Sequence, residues 1–287
     1  MLAGVSTYCF RNQFLSGQHD LFSFLDKCKD ELGAKAAEFL QDQFAAAKGN
    51  EPVRGFAHSS RVLRTPEYLQ GLADKARKVG VVISAVSARG DFATESEAER
   101  AAEVAELKAW VDITAELGVP VMRVYGASRH EGMTFERSFP WIVEGLKEVT
   151  AYAATEGVKL GMEDHGAITR VPQVKAILEA VDSPHFGFLM DVGNFQHFGE
   201  DPVAAAEVLA PWVVHVHLKE AKRRPDGSLV ACAVGEGGID IPAVLKVLSD
   251  AGYDGCLAIE YGAQIDEDEV VRRSIAYTKR VLRDLSA

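Results

Sequence analysis

The 287-residue chain has only four cysteines, Cys9, Cys28, Cys232 and Cys256, and none of them stand in the C-x-x-C spacing of a zinc site. They are too few for a disulfide framework, so a reducing, cytoplasmic setting is expected. Long apolar runs are also missing. No window offers 18 uncharged apolar residues, and Met1-Leu2-Ala3-Gly4-Val5 carries no basic stretch ahead of an apolar one, so neither membrane insertion nor export is expected. Basic residues are in deficit: 31 Lys and Arg face 42 Asp and Glu, a formal charge of −11. Affinity for nucleic acid rests largely on cations that displace phosphate counterions, so no nucleic-acid partner is expected. No Gly-x-Gly-x-x-Gly follows the first apolar run and no Walker pattern occurs, which removes the main support for a dinucleotide or P-loop fold.

What is present is ordinary globular material, 47% apolar and 25% charged. No low-complexity segment or linker divides it, and residues 1–287 are read as one domain. Five helix-like stretches close on a glycine shortly before an apolar run: Gly33, Gly80, Gly118, Gly157 and Gly252. Glycine past the last turn takes the left-handed conformation that ends a helix. Pro184 and Pro211 mark two further junctions, and Leu2 to Tyr8 opens the series, giving eight expected strands. Helix starts are legible at Thr65-Pro66, at Asp201-Pro202, at Asp240, and at Ser96, read with Glu99 as a capping box. Eight strand–helix units of about 36 residues each are the size of a closed (β/α)8 TIM barrel, and that α/β fold is the expectation.

In such a barrel, chemistry gathers where strands end. The last four expected strands each end in a potential ligand: Gly161-Met162-Glu163, Leu189-Met190-Asp191, His215-Val216-His217 and Ala258-Ile259-Glu260. Strand side chains alternate, and the neighbours of each candidate suit the helix-facing side, so Glu163, Asp191, His217 and Glu260 share the inward phase. Three carboxylates converging in a partly desolvated pocket repel one another unless protonated or neutralised by a cation. Three oxygen donors and one imidazole suit one divalent ion, Mn2+, Mg2+, Co2+ or Zn2+.

Taken in order, Gly161-Met162-Glu163-Asp164-His165-Gly166, Met190-Asp191-Val192-Gly193-Asn194, His215-Val216-His217-Leu218-Lys219-Glu220, Val234-Gly235-Glu236-Gly237-Gly238-Ile239-Asp240 and Ala258-Ile259-Glu260 resemble the xylose isomerase-like barrels, a family of sugar-phosphate isomerases and epimerases. The resemblance spans essentially the whole chain. It implies the same four metal ligands, and it implies that Glu163 and Glu260 form the catalytic acid and base pair of the ketose 3-epimerases. Lewis-acid stabilisation of an enediolate, with one carboxylate removing the α-proton and another returning it, yields epimerisation or aldose–ketose isomerisation. Loss of a β-hydroxyl from the same site yields dehydration, so a lyase acting on an inosose or dehydroshikimate-like substrate is the alternative.

Substrate-binding candidates surround these groups. His165, two residues past Glu163, is placed for substrate hydroxyls or for a rim loop, and Lys219 shares the phase of His217. Asn194 stands where epimerases with an Asp-x-x-His string carry a histidine. Arg223, within the charge run Lys222-Arg223-Arg224, matches a substrate-contacting arginine of the epimerases, and a solvated face is the competing reading. Glu236 projects toward the site or merely belongs to a turn. His215 is expected one layer below His217 in the core, Glu38 at the rim or supporting the ligands from behind, or else plainly on the surface, and His58 has no assigned role. Apurinic endonucleases share the barrel but use extra histidines and an Asp-x-His string, where Asn194 and Asp226-Gly227-Ser228 stand here. A non-catalytic binding protein is the remaining alternative. The expected partner is a small carbohydrate-like molecule, and a homo-oligomer is left open.

Overall fold

A computed structural model describes residues 1–44, 65–263 and 265–285. Eight parallel strands close into a barrel: β1 (Leu2–Ser6), β2 (Ala36–Leu40), β3 (Val82–Ser87), β4 (Val121–Val124), β5 (Lys159–Glu163), β6 (Phe186–Asp191), β7 (Val213–Leu218) and β10 (Cys256–Ile259), with β10 seated between β7 and β1. The expected TIM barrel is therefore the fold. Two short strands that the glycine and proline punctuation did not reveal, β8 (Glu220–Arg223) and β9 (Leu229–Cys232), form an antiparallel hairpin beyond β7. His58 lies outside the described residues.

The five terminating glycines all have positive φ, as expected; Gly80, at φ 74°, returns its N–H to the carbonyls of Ala76 and Arg77. The junction assigned to Pro184 is instead closed by Asp182, a non-glycine residue in the left-handed region at φ 47°. Thr65, Ser96, Asp201 and Asp240 cap their helices through side-chain acceptors. The capping box at Ser96 is only half formed. The Ser96 N–H is already given to Thr94 Oγ1, and the Glu99 carboxylate accepts from that same Thr94 hydroxyl at 2.6 Å.

Helices sheathe the barrel with apolar stripes, and the core between the layers includes a run of rings, Phe39, Phe44 and Trp110, that ties β2 to the helix Glu97–Glu116. No described helix is long and apolar enough to cross a membrane. Two register shifts interrupt the regular pairing of the barrel. A bulge at Ala37/Glu38 displaces β2 against β3, and another at Phe188/Leu189 displaces β6 against β7, three residues before Asp191. Such irregularities re-aim the side chains that come after them.

Candidate functional site

Strand geometry brings the four expected ligands together. Asp191 and Ala258 each pair with His217 in register, and Glu260 follows β10 directly, its N–H donating to Leu218 O at 3.0 Å. Glu163, Asp191, His217 and Glu260 each offer one ligand atom, all lying within 4.8 Å of one another, and all four residues are buried. His217 Nδ1 is 3.3 Å from Glu163 Oε1 and 3.6 Å from Glu260 Oε1. Lys219 Nζ donates to Glu260 Oε2 at 2.7 Å and to Asp191 Oδ2 at 3.3 Å.

Three contributors lie beyond the expected set. Arg123, buried in β4, holds Nη1 3.3 Å from Glu163 Oε2 and stacks its guanidinium 4.2 Å over Tyr125, whose ring lies 4.0 Å from that of His165. Glu38 takes the supporting place behind the ligands rather than a surface one. It is fully buried, with Oε2 accepting from His217 Nε2 at 2.7 Å, and strand alternation puts it on the same inward face as Ala36. Asp164 is buried on the opposite side of β5 and accepts the Asp191 N–H at 2.8 Å. An arginine inside Val121-Met122-Arg123-Val124 and a glutamate inside Ala36-Ala37-Glu38-Phe39 are charged residues within apolar strand runs, and that signal was available.

The electrostatics follow from burial and pairing. Burial would raise the Glu163 carboxyl, but the Arg123 guanidinium, aided by His217, brings it down to about 2. Burial raises Asp191 to about 6, with Glu260 and Glu163 adding to the rise against the opposing Lys219. Desolvation works against a charged His217, yet Glu38 and Glu260 drive its pKa well up. Burial lowers His165.

Glu38, Glu163, Asp191 and Glu260 are four buried carboxylates facing two permanent cations, Arg123 and Lys219. With His217 neutral, the balance is two negative charges, the amount a divalent ion supplies. Glu163 Oε2 is also buried without a hydrogen-bond partner. Donor set, charge and spacing therefore fit one divalent metal.

A cavity of about 440 Å³ opens above these groups, lined among others by His165, Asn194, Lys219, Glu260, Arg129 and Phe198. Of the expected substrate contacts, His165, Asn194 and Lys219 are thus at the cavity. Asn194 is also committed to the fold, since its Nδ2 donates to Asp164 O at 2.9 Å. Arg223 and Glu236 are not brought there. Arg223 is exposed near the hairpin tip and folds back on Gly227 O at 3.0 Å, while Glu236 pairs with Lys222 and Arg273 at the surface. His215 lies in the core below His217, as expected.

Asp164 provides a test of these electrostatics. Its Oδ2 is buried without a partner, and burial followed by the Asp191 charge raises its pKa well above the ordinary carboxyl value. The folded state keeps a proton that the unfolded chain releases above its own pKa of 3.8, so stability falls as pH rises from that value toward the folded pKa, and the deficit persists above it. Asp164→Asn keeps the acceptor for the Asp191 N–H and removes the titration. In chelator-treated protein, urea unfolding should show the variant gaining on the order of 1 kcal/mol over wild type between pH 5 and pH 8. Parallel pH profiles for the two proteins would refute a buried, protonated Asp164.

The sequence matches the profile of the xylose isomerase-like TIM barrel family over residues 26–281. Among curated proteins it is 31% identical to the rhizopine catabolism protein MocC of Rhizobium meliloti over 141 residues, 43% of each chain. It is 24% identical to an inosose dehydratase of Clostridium perfringens over 158 residues, 50% of this chain and 52% of the relative. It is also 24% identical to the L-ribulose-5-phosphate 3-epimerase UlaE of Shigella boydii over 189 residues, 64% of this chain and 66% of the relative. The chain thus spans from under half to about two thirds of these relatives' own length. The solved structure of a D-tagatose 3-epimerase-like protein superposes with a TM-score of 0.77 at 21% identity, over 100% of this chain and 98% of the other, a likeness of fold.

Proposed function

From a chain that belongs to the xylose isomerase-like TIM barrel family, we propose a divalent-metal-dependent isomerase or epimerase of a polyhydroxylated carbonyl substrate, free or phosphorylated. The observation that carries this reading is the buried set of Glu163, Asp191, His217 and Glu260, converging beneath a cavity that Glu260 lines, with two negative charges left over once His217 is neutral. These four residues would hold the ion, with Mn2+, Mg2+, Co2+ and Zn2+ all suiting the donors. The ion supplies Lewis-acid polarisation of the substrate carbonyl, which lowers the barrier to loss of the adjacent proton.

The chain's own groups supply the rest. Glu163 and Glu260 approach the same imidazole nitrogen; one carboxylate takes the α-proton, the other gains a proton from solvent and delivers it to the carbon, and the first then releases its own to solvent. Return to the opposite face of the same carbon gives an epimer, and return to the neighbouring carbon gives an aldose–ketose pair. Lys219 keeps Glu260 ionised, and Arg123 does the same for Glu163, so both carboxylates are available as bases at neutral pH. The ring of His165, packed on Tyr125, offers a cavity wall for hydroxyl contacts. Names among the relatives, an L-ribulose-5-phosphate 3-epimerase and a D-tagatose 3-epimerase-like protein, support this substrate class.

One observation favours a second reading as a dehydratase. Lys219 places an ammonium among the carboxylates, 2.7 Å from Glu260. In that reaction a carboxylate removes the α-proton, the β-carbon–oxygen bond breaks, and Lys219 protonates the departing hydroxide to water. A relative named inosose dehydratase supports it. The deciding experiment is metal analysis of the purified protein, followed by incubation in D2O with ketoses, inososes and their phosphates. Deuterium in an epimer or isomer supports the first reading and a dehydrated product the second; metal-independent turnover would sink both.

A further inference from the structure

We infer that Glu38 is a positioning residue that fixes which nitrogen of His217 faces the ligand cluster, an inference that rests on the proposed metal site. Glu38 reaches His217 across the barrel interior, since β2 and β7 are not neighbours in the closed sheet. An ionised carboxylate has no hydrogen to give, so the 2.7 Å contact makes His217 Nε2 the donor. With the ring held by that bond, Nδ1 is the nitrogen turned toward Glu163 Oε1 at 3.3 Å and Glu260 Oε1 at 3.6 Å. A neutral imidazole protonated at Nε2 presents a lone pair at Nδ1, as a metal ligand requires.

The alternative tautomer explains why such a device is needed. A proton on Nδ1 would be welcomed by either glutamate and would sit where a cation has to enter. Glu38 holds the Nε2 hydrogen on the other side of the ring, so the proton that an entering cation displaces is the one on Nδ1. Glu38 is itself held in place: Ser87 Oγ donates to Oε1, and His215 Nε2 lies 3.4 Å from Oε2. Glu38, Ser87, His215 and His217 are each no more than 1% exposed, so water does not compete for these bonds. Three residues from three different strands are thus spent on orienting one ligand.

Glu38→Gln keeps the shape of the side chain and removes the anionic acceptor. In the full-length protein, Zn2+ affinity measured by competition with a chromophoric chelator should weaken on the order of 10- to 100-fold. Thermal unfolding of the metal-free variant reports separately on folding. A purely structural role would lower the unfolding midpoint and leave Zn2+ affinity where it was. The wild-type protein supplies a readout independent of any variant: long-range 1H–15N correlation spectra of the Zn2+-loaded protein should show His217 protonated at Nε2. Undiminished Zn2+ affinity in Glu38→Gln, or a wild-type proton on Nδ1, overturns the inference while leaving the metal reading intact. A wild-type protein that binds no Zn2+, Mn2+, Co2+ or Mg2+ overturns both.

Discussion

Glu260→Gln should leave the barrel folded and lower turnover about 10²- to 10⁴-fold at saturating metal, the range associated with loss of a positioned acid or base. The amide preserves the volume and leaves the backbone bond from Glu260 N–H to Leu218 O untouched, so the fold has little to lose. The carboxylate is what disappears, and with it the anion that Lys219 holds at 2.7 Å and one of the oxygens facing His217. Glu163→Gln should behave alike through loss of the carboxylate that Arg123 keeps ionised. If the two glutamates act as one acid and base pair, removing both should cost little more than removing either, because residues that act as a unit are not additive. Steady-state rates for the two single variants and the double, each titrated with metal to saturation, check this. Turnover of either single variant equal to wild type would falsify the proposed acid and base pair.

Trp110→Ala should be the most damaging of the stability changes. Trp110 is 1% exposed, packs edge-on against Phe44 at a centroid distance of 5.4 Å, and donates Nε1–H to Glu106 at 2.9 Å. Phe44 in turn meets Phe39 of β2. Truncation removes the ring that joins the helix Glu97–Glu116 to this run and opens a cavity that close-packed neighbours fill poorly, a loss of about 3–5 kcal/mol. For a domain of this size that corresponds to a fall in Tm of about 10 °C. Calorimetry measures it directly, and a shift of only a degree or two would mean that the surrounding core collapses into the space. Activity at 25 °C should change far less than in Glu260→Gln, because Phe44 and Glu106, the described partners of Trp110, do not line the cavity.

The barrel was legible because its punctuation is local. A glycine that must adopt positive φ, a capping side chain before a proline and an apolar run each declare themselves within a few residues, and the eight units follow from their repetition. The cluster of Glu163, Asp191, His217 and Glu260 was legible for the same reason, since each stands at a strand terminus in inward phase. Glu38 was left between a supporting place and the surface because its partner His217 lies 179 positions away on a strand that is not its neighbour, which no single segment reveals. Arg123 was visible as a charge in an apolar strand, but its partner Glu163 lies 40 positions away on the neighbouring strand. Arg223 and Glu236 show the converse error. Their sequence positions suggested proximity to substrate, whereas the β8–β9 hairpin, unmarked by the glycine pattern, carries one to its tip and leaves the other paired with surface cations.

That hairpin separates two tasks. Glu163, Asp191 and His217 sit on barrel strands and Glu260 directly after one, yet part of the outer cavity wall is Ala221, Leu229 and Ala231, carried on a two-stranded flap. The flap is pinned near its base: Glu220 accepts the N–H groups of Gly235 and Ile239, and Gln196 both donates to and accepts from the Ala221 backbone. Its side chains can therefore be enlarged, shortened or recharged while the buried cluster keeps its geometry. Under the proposed function, selectivity for the distal end of a substrate would be an exchangeable fitting on a fixed chassis.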